Sequence, residues 1–228
     1  MTPSPSARPA AVLFDCDGVL ADSEGLVNGI VARDLSARGW PMTGAEAAEH
    51  FLGMALPAMV PVIEAKVGPL PPRWGETLSA HIAAHMLDAL EPVPGAPAAV
   101  RAVVAAGVPA AVASNAGRGE LQAKLERLGL LEPFAGRVFS FEDVARPKPA
   151  PDLYLAAARS CGAAPGDCVV VEDSLLGVRA GVSAGCRVLG LARETDASVL
   201  AAAGAEATFA SMAALPGLLG LPPAPAPA

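Results

Sequence analysis

Asp15 and Asp17 stand on either side of Cys16, directly after the apolar run Ala11-Val12-Leu13-Phe14. An apolar run bounded by Pro9 and Gly18 predicts a buried strand. Strand side chains alternate, so both carboxylates leave on one side and Cys16 on the other. Gly18 then permits a sharp turn. Three further polar groups follow: Ser114-Asn115, Lys148 between Pro147 and Pro149, and Glu172-Asp173-Ser174. A set of this kind suits phosphoryl transfer through a covalent aspartate. One carboxylate attacks phosphorus, a metal neutralises charge, and a second acid serves the leaving oxygen.

On that reading Asp15 is the nucleophile, and Asp17 is the general acid and then the base that activates water. Ser114 hydrogen-bonds a phosphoryl oxygen, joined by backbone N–H groups near Asn115 at a helix start. Lys148 brings a point charge to Asp15 and the transferring oxygens. Hard oxygen donors without His or Cys suit Mg2+. Its expected ligands are Asp15, the Asp17 carbonyl and Asp173, with Glu172 as a ligand or just behind them. Plainer roles compete at each point: strand-ending or helix-capping acids, an N-cap serine, a solvated lysine. Four clusters together favour the chemical reading.

The intervening sequence predicts the elements that would position these groups. Asp22 or Ser23 can cap a helix that runs to about Arg38 and stops at Gly39, and Thr43 with Glu46 opens a second through a capping box. Residues 55–90 carry helical spacing broken by Pro57, Pro61 and Pro69-Leu70-Pro71-Pro72, with no strand between Asp22 and Leu90. From Pro92 onward strand and helix alternate: helices over 95–106, 118–128, 151–160 and 174–184, strands over 109–113, 138–140, 168–171 and 187–191. This rhythm implies an α/β fold with a mostly parallel sheet covered on both faces. Neighbouring parallel strands bring their carboxyl ends together, where open α/β sheets place their chemistry. The expected organisation is a disordered leader over 1–9, an α/β core over 10–22 and 91–220, a helical insert over 23–90, and a Pro/Ala-rich tail over 221–228.

Composition narrows the partners. With 16 basic against 23 acidic residues the net charge is −7, which argues against nucleic acid and anionic membranes. An anionic substrate must then be attracted by a metal or a few cations. No apolar run reaches the roughly 18 residues of a membrane span. Four cysteines without a C-x-x-C pair, and no signal-peptide core, predict buried thiols in a reducing cytoplasm. Only Lys66, Lys124 and Lys148 are lysines among the basic residues, which singles out Lys148 in its proline-flanked loop. His81 and His85 lie four apart but Ile82 stands where a zincin-type acid would be, so they read as surface histidines. Trp40 and Trp74 read as packing residues of the insert.

Four motifs in order carry a resemblance. Phe14-Asp15-Cys16-Asp17-Gly18-Val19-Leu20, Ala113-Ser114-Asn115, Lys148-Pro149-Ala150-Pro151-Asp152 and Val169-Val170-Val171-Glu172-Asp173-Ser174 resemble the motifs of the haloacid-dehalogenase-like hydrolase superfamily, in its phosphatase and β-phosphoglucomutase-like branch. The resemblance implies a Rossmann-like core, an α-helical cap subdomain inserted after the first strand, Mg2+ dependence, and a cap that closes over substrate to exclude water. It places the cap loop around Phe51, Gly53 and Met54 near the substrate.

Within that superfamily, dehalogenases lack the acid that Asp17 supplies. Phosphonate hydrolases use a cap lysine, whereas the insert holds only Lys66, at an unsuitable place. The β-phosphoglucomutases carry a histidine where Val27 stands and a cap arginine that is missing from His50-Phe51-Leu52-Gly53-Met54-Ala55. The expected activity is therefore Mg2+-dependent hydrolysis of a small phosphomonoester, such as a sugar or polyol phosphate, by a monomer or weak homodimer. A phosphosugar mutase is the alternative. A catalytically silent binding protein is a distant third, since Asp15, Asp17, Lys148 and Asp173 are all present.

Overall fold

A computed structural model of the chain describes residues 8–134 and 136–222, apart from the side chains of residues 24 and 86–89. Its centre is β1 (Ala11–Phe14), whose four side chains are all buried. On one side β1 pairs in parallel with β4 (Ala110–Ala113), and on the other with β6 (Cys168–Glu172). The remaining parallel strands are β5 (Val138–Phe139) beside β4, then β7 (Arg187–Leu191) and β8 (Ala207–Phe209) beyond β6. The order is β5-β4-β1-β6-β7-β8. Continuous burial of β1, β4 and β6 is what a parallel sheet covered on both faces requires.

Alternation along these strands divides the core. Val12, Phe14, Val112, Val169 and Val171 face one layer, which also takes in α5 (Ala96–Ala105), α6 (Arg118–Arg127) and the helical segment inserted before them. Leu13, Ala111, Val170 and Val188 face the other, under α7 (Asp152–Ser160), α8 (Leu175–Ser183) and Leu200 of α9 (Ala197–Ala202). The short α10 (Leu215–Leu218) packs on α5. Gly181 lies so close to the sheet that a Cβ there would sit 2.7 Å from Val188.

The insert leaves and re-enters through a two-stranded antiparallel neck, β2 (Ala21–Asp22) and β3 (Glu91–Pro92). Between them run α1 (Glu24–Ala37), α2 (Gly44–Phe51), α3 (Leu56–Val67) and α4 (Trp74–Ala89), with α4 packed along α6. The Thr43–Glu46 capping box forms as expected. Trp74 is buried and its Nε1–H donates to Asp34 at 2.8 Å, while Trp40 meets Phe51 edge-on under the Lys66 ammonium. Both tryptophans are packing residues. His81 and His85 are exposed, with ring centroids 4.4 Å apart.

Several expectations are corrected. Ser23 occupies the N-cap of α1, yet its side chain makes no cap bond and turns to Asp17. Pro61 does not break α3: the helix loses one N–H donor there and continues because Met59 and Ile63 are buried on either side. β8 and the neck strands went unpredicted, being two or three residues long. Leu221, assigned to the tail, is buried. Residues 1–7 of the expected leader and 223–228 of the tail lie outside the described residues.

Phe14 and Phe134 meet edge-to-face at 5.9 Å, both fully buried. Phe134→Ala opens a cavity beneath β1 and is expected to cost about 3–5 kcal/mol. Urea denaturation checks this, and a loss under about 1 kcal/mol would contradict the packing described.

Candidate active site

Three adjacent strands end at the same level. The Asp15 N–H donates to the Val171 carbonyl at 3.0 Å and the Ser114 N–H to Phe139 at 2.9 Å, so the ladder carries both residues just past their strands. Glu172 closes β6 with Asp173 next. Lys148 arrives from the loop after β5, its bond to Pro149 in the cis form. Asp15, Ser114, Lys148, Glu172 and Asp173 are all buried there, and Asp17 is partly so.

The Lys148 ammonium donates to Asp15 Oδ1 and to Glu172 Oε1, each at 2.6 Å. Glu172 accepts more: Tyr154 OH at 2.7 Å on Oε1, and the N–H groups of Asp173 (3.0 Å) and Ser174 (3.1 Å) with the Ser174 hydroxyl (3.0 Å) on Oε2. Both of its oxygens are engaged. Gly177 makes room for it, since a Cβ there would fall 1.7 Å from Oε1. Burial acts to lower the Lys148 pKa, but Asp15 and Glu172 outweigh it and hold the ammonium above its usual range. For Asp15, burial dominates over Lys148 and pushes the carboxyl up to about 8.

Asp15, Glu172 and Asp173 each offer an oxygen within 4.8 Å of the others. Among the described residues the Lys148 ammonium is shared by two buried carboxylates, Asp15 and Glu172, so these three groups together are short of positive charge. A hard, oxygen-only donor set in that condition fits a small divalent cation such as Mg2+. The Asp17 carboxylate is not part of this cluster.

Asp17 belongs to a second buried network. Its Oδ1 accepts from the Lys124 ammonium and the Ser23 hydroxyl, and Ser114 Oγ stands 3.5 Å from Oδ2. Lys124 is fully buried and also pairs with Glu120 one turn back on α6. Burial pushes Asp17 up, but Lys124 and Ser23 outweigh it and hold the carboxyl below the usual range. Lys124 and Glu120 are not singled out by the sequence, where residues 118–128 read only as a helix. A signal was available: residues 120, 121, 124 and 125 form one helix face, and Leu121 and Leu125 mark it as buried.

Ser114 is not the N-cap of α6, which is Gly117; its hydroxyl accepts from the Ala116 N–H at 3.0 Å instead. Asn115 works through its side chain. Its Oδ1 accepts from the Lys148 N–H at 3.0 Å, and its Nδ2 donates to the Lys148 carbonyl (3.2 Å) and to the Gly53 carbonyl (2.8 Å). That amide ties the lysine loop to the inserted segment. Gly53 takes φ +74°, and a Cβ on it would crowd Ser174 at 3.1–3.2 Å. Asp15, Asp17, Ser114, Asn115, Lys148, Asp173 and Gly53 thus line one pocket, and Glu172 stands behind it.

A parallel sheet with paired acids at the end of its central strand, roofed by a helical insert, matches a known build. The model of the haloacid dehalogenase-like hydrolase family matches residues 9–185, and the chain belongs to that family. It is 30% identical over 187 residues to 6-phosphogluconate phosphatase of Escherichia coli, covering 80% of this chain and 82% of that protein. It is 32% identical over 186 residues to the bifunctional riboflavin kinase/FMN phosphatase of Arabidopsis thaliana, where the match spans 79% of this chain and about half (48%) of the relative. Among solved structures, a family hydrolase from Deinococcus radiodurans with bound phosphate and sodium is 36% identical at a TM-score of 0.75, covering 96% of this chain and all of that one.

Lys124→Met would leave the buried Glu120 without its ammonium and the partly buried Asp17 with only the Ser23 and Ser114 hydroxyls. The expected loss is about 3–5 kcal/mol of stability, easing as acid protonates the pair. Denaturant midpoints at neutral and mildly acidic pH test this, and an unchanged midpoint at neutral pH would contradict it.

Proposed function

We propose that the chain hydrolyses a small phosphomonoester, a sugar or polyol phosphate, through an aspartyl-phosphate on Asp15. The observation that carries the reading is the Lys148 ammonium 2.6 Å from Asp15 Oδ1, with Asp17 lining the same pocket. Family membership supports it, as do relatives named as phosphatases, including hexitol phosphatase A of E. coli, 38% identical over half of this chain.

Asp15 attacks phosphorus through one oxygen, and the ester P–O bond breaks with its electron pair leaving on the alcohol oxygen. Asp17 rests ionised beside Lys124 and takes up a proton on Oδ2, the oxygen not held by Lys124 and Ser23, as the like-charged phosphate arrives; it then gives that proton to the leaving oxygen. Asp17 then takes a proton from water as the water attacks phosphorus. The acyl-phosphate P–O bond breaks, returning the Asp15 carboxylate and inorganic phosphate. Ser114 and Lys148 hold the phosphoryl oxygens, and Lys148 keeps Asp15 oriented. Asp15, Asp173 and the Asp17 carbonyl would hold Mg2+, which when bound supplies positive charge to Asp15 and to the phosphoryl group. Glu172, with both oxygens engaged, orients Lys148 instead.

Val27 lines the pocket where a β-phosphoglucomutase resembling this chain would have its histidine, and no arginine joins it from the 50–55 loop. Both points favour water over a second sugar phosphate as the acceptor. Four free thiols, three of them buried, support a reducing compartment such as the cytoplasm.

Phosphate release from a panel of phosphorylated sugars and polyols tests the assignment. Wild type with Mg2+ is expected to be active, EDTA to abolish the release, and Asp15→Asn to lower kcat by at least about a thousandfold. Release that survives both would overturn the mechanism, and isomerisation without release would make the chain a mutase.

A further inference from the structure

Beyond the phosphate end, the pocket runs under the inserted segment, and its lining there is one-sided. That segment contributes Val27, Val31, Phe51, Met54, Met59 and Ile82, among others, with Ser23 and Asn28 as its polar side chains and, among the described residues, no charged one. Among the described residues, the core's one charged contribution away from Asp15, Asp17, Lys148 and Asp173 is an acid, Glu120. Neither buried lysine can serve a second anion. Lys148 is committed to Asp15 and Glu172, and Lys124 lies fully buried between Asp17 and Glu120.

We infer that this pocket selects phosphomonoesters whose leaving group is uncharged and lays carbon surface against the inserted helices. The inference rests on the hydrolase reading above and goes past it by dividing the carbohydrate phosphates. A carboxylate or a second phosphate on the leaving group would give up its hydration with, among the described residues, no free cation to replace it, and would face Glu120 as well. A neutral alcohol end gives up far less hydration and meets the apolar wall. Exclusion by an uncompensated charge discriminates against the wrong substrate without any contact dedicated to the right one. The chain would then differ in selectivity from its relative named for 6-phosphogluconate, despite 30% identity.

Glucitol 6-phosphate and 6-phosphogluconate make a matched pair, differing at the far carbon as an alcohol against a carboxylate. With Mg2+ present, wild type is expected to favour the alcohol by about tenfold or more in kcat/KM, and to discriminate likewise against a hexose 1,6-bisphosphate. Met54→Arg places a cation on the apolar wall and should shrink that preference severalfold. Equal or greater kcat/KM for the anionic esters in wild type overturns the inference, and so does a folded Met54→Arg enzyme that keeps the full preference. Failure of the underlying reading looks different: no phosphate would be released from any of these esters or from p-nitrophenyl phosphate, and both proposals would fall.

Discussion

Two ammonium groups set against a larger number of buried carboxylates organise this molecule. Lys148 bridges Asp15 and Glu172, and Lys124 bridges Asp17 and Glu120. Each lysine is wedged between two acids, so among the described residues each of these triads carries more negative than positive charge. Burying such pairs is expensive unless geometry and extra hydrogen bonds compensate. Here they do: Glu172 alone accepts five hydrogen bonds, from Lys148, Tyr154, Ser174 and two backbone N–H groups. The remaining charge deficit around Asp15 is what makes the cluster receptive to a cation.

The fold's task is to hold these groups in register. β4, β1 and β6 are neighbours, and their parallel pairing delivers Ser114, Asp15 and Glu172 to one edge without long loops. Rigidity comes from the dry layers on either side, where Phe14 and Leu13 face opposite cores. The insert then meets the core through the Asn115–Gly53 hydrogen bond and the packing of α4 on α6. Since α6 also carries Lys124 and Glu120, the helix that supports the roof also holds Asp17. Position of the insert and orientation of Asp17 are coupled through one element.

Much of this was legible because the chemistry lies where strong local signals end. The run before Asp15 is wholly apolar, the run before Glu172 is Val169-Val170-Val171, and proline flanks Lys148 on both sides. The Lys124–Glu120 pair was hidden because an acid and a lysine four apart on a polar helix ordinarily form an exposed pair. Ser23 stands at the N-cap, as its place before a helix suggests, but a carboxylate six residues back competes for its hydroxyl. The neck strands hold two residues each, too few for any periodicity to register. Asn115 was expected to act through nearby backbone N–H groups, whereas its amide reaches two loops distant in sequence. Such long-range contacts have no local pattern.

The central claim is that Asp15 itself carries the phosphoryl group between substrate and water. Acid-quenching the enzyme during turnover of a good phosphomonoester, then mapping the digested protein by mass spectrometry, addresses it directly. One phosphoryl group on the peptide that contains Asp15, lost on mild alkaline treatment and missing from Asp15→Asn, is the predicted result. Sustained phosphate release with the modification on another residue, or with none trapped even when hydrolysis of the intermediate is slowed at Asp17, would contradict it.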